Sequence, residues 1–124
     1  MIKSCLCVML GGGTGAVLRY LTTTVLNKYF NLHHWATFWV NVAGCFALGV
    51  LFQLLSAHSS LIQNLVIVGI IGSYTTFSAF EYENIDLIAY EKYLEFIRYS
   101  VFSCAFTFLA LSCGFYVAKV LIKV

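Results

Sequence analysis

Residues 29–80 read YFNLHHWATFWVNVAGCFALGVLFQLLSAHSSLIQNLVIVGIIGSYTTFSAF and contain no Asp, Glu, Lys or Arg. A helix that crosses the hydrocarbon core of a bilayer needs about 20 mostly apolar residues. The stretch therefore holds two such helices, and Ala57-His58-Ser59-Ser60 supplies the turn between them. Charge-free stretches flank it, from Lys3 to Arg19 and from Arg98 to Lys119. The pattern predicts an all-α integral membrane protein with four transmembrane helices, over residues 4–28, 36–56, 61–89 and 94–121. The remaining connections are Asn31-Leu32-His33-His34 and Tyr90-Glu91-Lys92-Tyr93.

Composition agrees. Of the 124 residues 61% are hydrophobic and 10% charged, whereas soluble domains carry about 25% charged residues. No linker or low-complexity tract divides the chain, so residues 1–124 form a single domain. A basic start and an apolar run fit a signal peptide superficially, but three further apolar segments follow, and the first is read as a retained helix. Trp35, Trp39, Tyr29, Tyr90 and Tyr93 cluster near predicted helix ends, as an interfacial aromatic belt does. The three histidines, His33, His34 and His58, fall in loops and are expected to be solvated. Five cysteines lie inside apolar segments without metal-ligand spacing, so neither a disulfide framework nor a Cys–His metal centre is expected.

Small residues recur four apart: Gly11 with Gly15, Gly12 with Ala16, Ala43 with Ala47, Gly69 with Ser73, and Ala110, Gly114 and Ala118 in series. That spacing puts them on one helix face, where backbones approach closely. The run Gly11-Gly12-Gly13-Thr14-Gly15 is like a phosphate loop in composition only; no strand precedes it and no Lys-Ser/Thr follows.

Charge decides topology. Four helices put both termini and the second loop on one side, with Lys3, Lys119 and Lys123. Lys28 and Lys92 lie on the other, with Arg19 and Arg98 near helix ends. The near balance suits insertion in both orientations and equally a single orientation with weak bias.

Polar groups within apolar spans need a partner or a purpose. In the third helix, Gly72-Ser73-Tyr74-Thr75-Thr76-Phe77-Ser78-Ala79-Phe80 concentrates residues that weaken a helix. Two readings stand open. One is a mid-membrane break, whose freed carbonyls can hold a cation. The other is an unbroken helix with hydroxyls bonded back one turn. Tyr99, Ser103 and Thr107 share one face of the fourth helix, as hydrogen-bond donors between helices or along an anion path. Phe77 and Phe80 share a face of the third, and phenyl edges are electropositive.

These residues resemble the bacterial fluoride channels, the Fluc or CrcB family. Gly11-Gly12-Gly13-Thr14-Gly15-Ala16 with Arg19-Tyr20 is similar to that family's first-helix signature. Thr37-Phe38-Trp39-Val40-Asn41-Val42-Ala43-Gly44 is similar to its second, and Gly72 to Phe80 to its third and most specific one. Ser73, Ala79 and Glu81 depart from the usual pattern.

The resemblance implies an antiparallel, dual-topology dimer in the inner (plasma) membrane, of identical chains or with a paralogous subunit. It implies passive fluoride export through pores at the subunit interface. Asn41, Phe77, Phe80, Tyr99, Ser103 and Thr107 would line the ion pathway. Arg19, Thr37, Thr76, Ser78 and Glu83 would support it. Backbone carbonyls of Gly72 and Thr75, at a break in the third helix, would hold a structural Na⁺ at the dimer interface. The partners implied are fluoride, the lipid bilayer and the second subunit; neither nucleic acid nor an enzymatic reaction is expected. Two other classes compete. A small proton-coupled multidrug exporter needs an acid deep in the first helix, and there is none. A non-transporting membrane assembly protein does not need Asn41, a helix break and a hydroxyl stripe together.

Overall fold

In a computed structural model, residues 1–31 and 33–122 are described; Leu32 of the first loop and Lys123 of the charge balance lie outside them. The described residues are helical, without strands, in five helices. These are α1 (Ile2–Phe30), α2 (His34–Leu54), α3 (residues 60–74), α4 (Phe77–Ala89) and α5 (Tyr93–Ile122). Together α3 and α4 make one span, so four segments, Ile2–Phe30, His34–Leu54, Ser60–Ala89 and Tyr93–Leu121, are long and apolar enough to cross a membrane. The chain is a multi-pass membrane protein.

Hydrophobic association does not drive helices together in lipid; close van der Waals packing does. Here α1 packs on α3 and α2 packs on α5. Both contacts are made where glycines let backbones meet. A Cβ at Gly11 or Gly15 would strike the backbone of Leu65–Ile70, and one at Gly49 or Gly114 the backbone of the opposite helix. Gly13, in the same glycine run, faces open space. A small cluster of Phe38, Phe80, Leu87 and Tyr99, flanked by Trp35, Val42 and Phe96, ties α2, α4 and α5 together. Much of the remaining apolar surface is exposed, as expected of faces turned to lipid or to another subunit.

The third span is irregular. Asn64–Ile71 is wound as a π-helix, and the Gly72 N–H reaches back five residues to Ile67. Two residues later the helix stops. Thr75 (φ −73°, ψ 152°) and Thr76 (φ −149°, ψ 119°) are extended, so the break is present. The alternative feature, a hydroxyl bonded back one turn, occurs beside it: Thr75 Oγ1 donates to the Ile71 carbonyl at 3.1 Å. It caps the first half rather than bridging to the second.

The histidine expectation needs one correction. His33 and His58 are exposed, but His34 is the first residue of α2 and only partly exposed. The helix begins two residues earlier than position 36. All five cysteines are free.

Candidate functional site

The break is held from across the fold. Asn41, on α2, accepts the Thr76 N–H with Oδ1 at 2.7 Å and donates through Nδ2 to the Thr76 carbonyl at 2.9 Å. One side-chain amide thus satisfies both backbone groups of an extended residue at membrane depth, which no water would otherwise do. Thr76 then starts α4 as its N-cap, its Oγ1 accepting the Ala79 N–H at 3.2 Å. A threonine oxygen in that position satisfies one of the four unpaired N–H groups at a helix start. Ser78 Oγ lies 3.2 Å from the same hydroxyl.

These bonds redirect two donors. In an unbroken helix the Thr76 N–H would go to the Gly72 carbonyl and the Ala79 N–H to the Thr75 carbonyl. Here they go to Asn41 and to the Thr76 hydroxyl. The carbonyls of Gly72 and Thr75 therefore lose their helical donors, and Gly72 lies exposed at the surface. Free carbonyl oxygens at a half-helix C-terminus are the donor set that suits Na⁺. The residues present fit such an ion.

Against the break, a groove of about 240 Å³ is lined by Asn41, Cys45, Thr75, Thr76, Phe77, Phe80, Ser103, Cys104 and Thr107. It gathers five of the six residues expected along an ion pathway. Phe77 and Phe80 lie with ring centroids 5.5 Å apart at 41°. Phe80 is 6% exposed and Phe77 72%, so one ring is fixed in the core and the other stands at the groove's open side. Ser103 is buried at 6% exposure, and its Oγ has no hydrogen-bond partner. Thr107 is less free, because its Oγ1 donates to the Ser103 carbonyl at 2.6 Å.

Tyr99, the sixth, does not line the groove. It is fully buried and donates its hydroxyl to Glu83 Oε2 at 2.5 Å. Thr37, on α2, donates to the other carboxylate oxygen at 2.6 Å. Glu83 is thus tied to two neighbouring helices, one turn beyond Phe80. Glu81, two residues away, is exposed. Arg19 sits partly exposed on α1, outside the groove. Its side chain makes no hydrogen bond or ion pair among the described residues; the one ion pair found there is Lys92–Glu95 at 4.0 Å.

Two groove residues, Cys45 and Cys104, were not among those expected. Cys45 follows Asn41 by four residues, the spacing that puts both on one helix face, so the pattern carried that signal. Cys104 adjoins Ser103 and carried no such signal.

The sequence model of a family described as CrcB-like protein, Camphor Resistance (CrcB), matches residues 6–115. The chain is 41% identical over 122 residues to the fluoride-specific ion channel FluC of Flavobacterium psychrophilum, covering 95% of this chain and 98% of that one. It is 36% identical over 121 residues to the fluoride-specific ion channel FluC of Phocaeicola vulgatus, covering 95% and 100%. Over 112 residues it is 38% identical to the protein of that name from Campylobacter jejuni, covering 86% and 92%.

Proposed function

The chain belongs to the CrcB-like family, and from that premise we propose that it is a fluoride-selective channel releasing fluoride passively from the cytoplasm across the inner membrane. Relatives that share most of their length with it are named fluoride-specific channels. The observation that carries the reading is the groove itself. Asn41, Phe77, Phe80, Ser103 and Thr107 meet there, and the Ser103 hydroxyl is buried with no partner.

Fluoride is small and strongly hydrated, so drying it is costly. A conducting site must replace part of that hydration without holding the ion so tightly that it cannot leave. Neutral donors meet both demands. Ser103 Oγ–H offers an unused hydrogen, and the Asn41 amide keeps one N–H beyond the bond it gives to Thr76. The positive edges of Phe77 and Phe80 add a weak, nondirectional attraction. No lysine or arginine lines the groove. Glu83 excludes itself as an anion ligand while ionised, and beyond the groove it accepts the hydroxyl hydrogens of Tyr99 and Thr37.

The groove is open where Phe77 is exposed. A second subunit, antiparallel to the first, would close it into a pore. The partner is an identical chain or a paralogue. The carbonyls of Gly72 and Thr75, deprived of helical donors, would hold Na⁺ at that interface. Bound there, Na⁺ would supply a positive charge to the otherwise unpaired carbonyls. Replacing Na⁺ by a large organic cation should then lower the dimer fraction in detergent, read by light scattering. A dimer fraction indifferent to Na⁺ would remove this ion from the reading.

The test of function is ion efflux from liposomes loaded with fluoride or with chloride and carrying purified protein. Fluoride should leave rapidly and chloride should not. Phe80→Ile should cut fluoride efflux at least about tenfold, because a branched aliphatic side chain offers no electropositive edge. Equal release of both ions would reject selectivity; release of neither by dimeric protein would reject the channel.

A further inference from the structure

A second pocket, of about 350 Å³, opens at the membrane face where α2 begins, α4 ends and α5 begins. His33, His34, Asp86, Leu87, Tyr90, Lys92 and Glu95 line it. Three helices place it in line with the groove. Along α5, Glu95 belongs to the pocket and Ser103 and Thr107 to the groove, with Tyr99 between. Along α4, Asp86 and Tyr90 belong to the pocket and Phe77 and Phe80 to the groove, with Glu83 between. Along α2, His34 belongs to the pocket and Asn41 to the groove, with Thr37 between. The three intermediate residues are those joined by hydrogen bonds, Tyr99 and Thr37 to Glu83.

Two buried side-chain polar atoms among the described residues have no hydrogen-bond partner, Ser103 Oγ and His34 Nε2. They stand on opposite sides of the Tyr99–Glu83–Thr37 cluster. The His34 ring meets the Tyr99 ring edge-on, with centroids 4.9 Å apart at 69°. A buried polar atom without a partner costs stability and calls for an explanation.

We propose that this pocket is the mouth of the fluoride pathway and that His34 Nε2 is an anion-binding station in it, on the outer side of Tyr99. The proposal rests on the channel reading above. Its chemistry is that of a donor whose strength follows pH. Neutral histidine carries one N–H and protonated histidine two, and its ordinary titration falls between about pH 5 and 8. The facing charges set the sign of the mouth. Asp86 comes from α4, with Tyr90 at its end; Glu95 and Tyr99 come from α5; Lys92 and His33 come from the loops; Glu83 lies behind Tyr99. Lys92 lies 4.0 Å from Glu95 and offsets it. Asp86 then leaves the pocket net negative while His34 is neutral, and a proton on His34 offsets that charge. Protonation thus weakens the repulsion of an anion and adds a second N–H donor at the buried station.

The experiment is fluoride efflux from liposomes carrying the purified chain, with equal pH inside and out, from about pH 8 to about pH 5. Protein-free liposomes subtract the leak of neutral hydrogen fluoride. Efflux of the parent should rise at least about threefold as histidine protonates. His34→Gln keeps an N–H donor but cannot gain charge, and should lose most of the rise. His33→Gln should keep the rise. His34→Asn repeats the comparison should His34→Gln fail to fold. A His34 variant with the parent's rise, or a conducting parent with a flat profile, overturns the proposal and leaves the channel reading standing. A parent that passes no fluoride at any pH overturns both.

Discussion

Asn41→Leu should lower fluoride efflux about hundredfold. Leucine fills nearly the same space but makes neither bond to Thr76. The Thr76 N–H and carbonyl, now held at 2.7 and 2.9 Å, would both lie unpaired at membrane depth. Each buried unpaired group costs about 1–3 kcal/mol. The chain has a cheaper arrangement, because the Thr76 N–H can return to the Gly72 carbonyl and continue the helix. A shift of about 3 kcal/mol toward that form depopulates the broken form about hundredfold. Continuing the helix would also turn Phe77 and Phe80 away from their present face and consume the Gly72 carbonyl proposed to hold Na⁺. Function should therefore fall further than folding does: the variant should still insert and purify while its efflux collapses. Asn41→Asp retains the acceptor for the Thr76 N–H but faces the Thr76 carbonyl with an oxygen, and should fall between parent and leucine variant. Efflux by Asn41→Leu within about threefold of the parent would show that the clamp is dispensable.

That clamp also marks how far the sequence could be read. Four spans follow from the charge-free stretches, because burying charge in lipid is costly wherever it occurs; the observed ends differ from the expected ones by a few residues. The break was different. Residues 72–80 suit a broken helix and an unbroken one alike, since a threonine hydroxyl can bond back one turn in either, as Thr75 does. What decides is Asn41, 35 positions away along the chain, and no local pattern ranks a partner at that distance. The stripe of Tyr99, Ser103 and Thr107 was legible from spacing, but not its division of labour. Tyr99 is bound to Glu83, Thr107 gives its proton to a backbone carbonyl, and Ser103 alone stays free. Those outcomes depend on which face of α4 meets α5. His34 was misplaced because α2 begins two residues earlier than expected, and its ring packs edge-on against Tyr99, on another helix.

Gly15→Val should destroy the fold rather than tune it. The glycine run offers three adjacent residues of one type whose surroundings differ completely. Gly13 has nothing within 4 Å of where a Cβ would be. At Gly12 the neighbour is the end of a side chain, Ser73 Oγ at 3.3 Å. At Gly11 and Gly15 it is backbone: Gly69 Cα at 3.0 Å for the first, the Ile70 carbonyl and Ile70 Cα, at 3.1 Å, for the second. Side-chain ends can swing aside, whereas backbone moves only with its helix. The backbone in question is the π-helical turn that leads directly into Gly72 and the break, so pushing it away from α1 disturbs the carbonyls and the clamp together. Overpacking inside a dense core costs about 1–3 kcal/mol. Here it also separates two helices whose association in lipid depends on close approach, so the loss should exceed about 3 kcal/mol. Gly15→Val should accumulate poorly, aggregate at lower temperature in detergent and pass no fluoride. Gly13→Val, equal in composition, should match the parent in all three measurements. If the two variants behave alike, the contact between α1 and α3 does not hold the break in place.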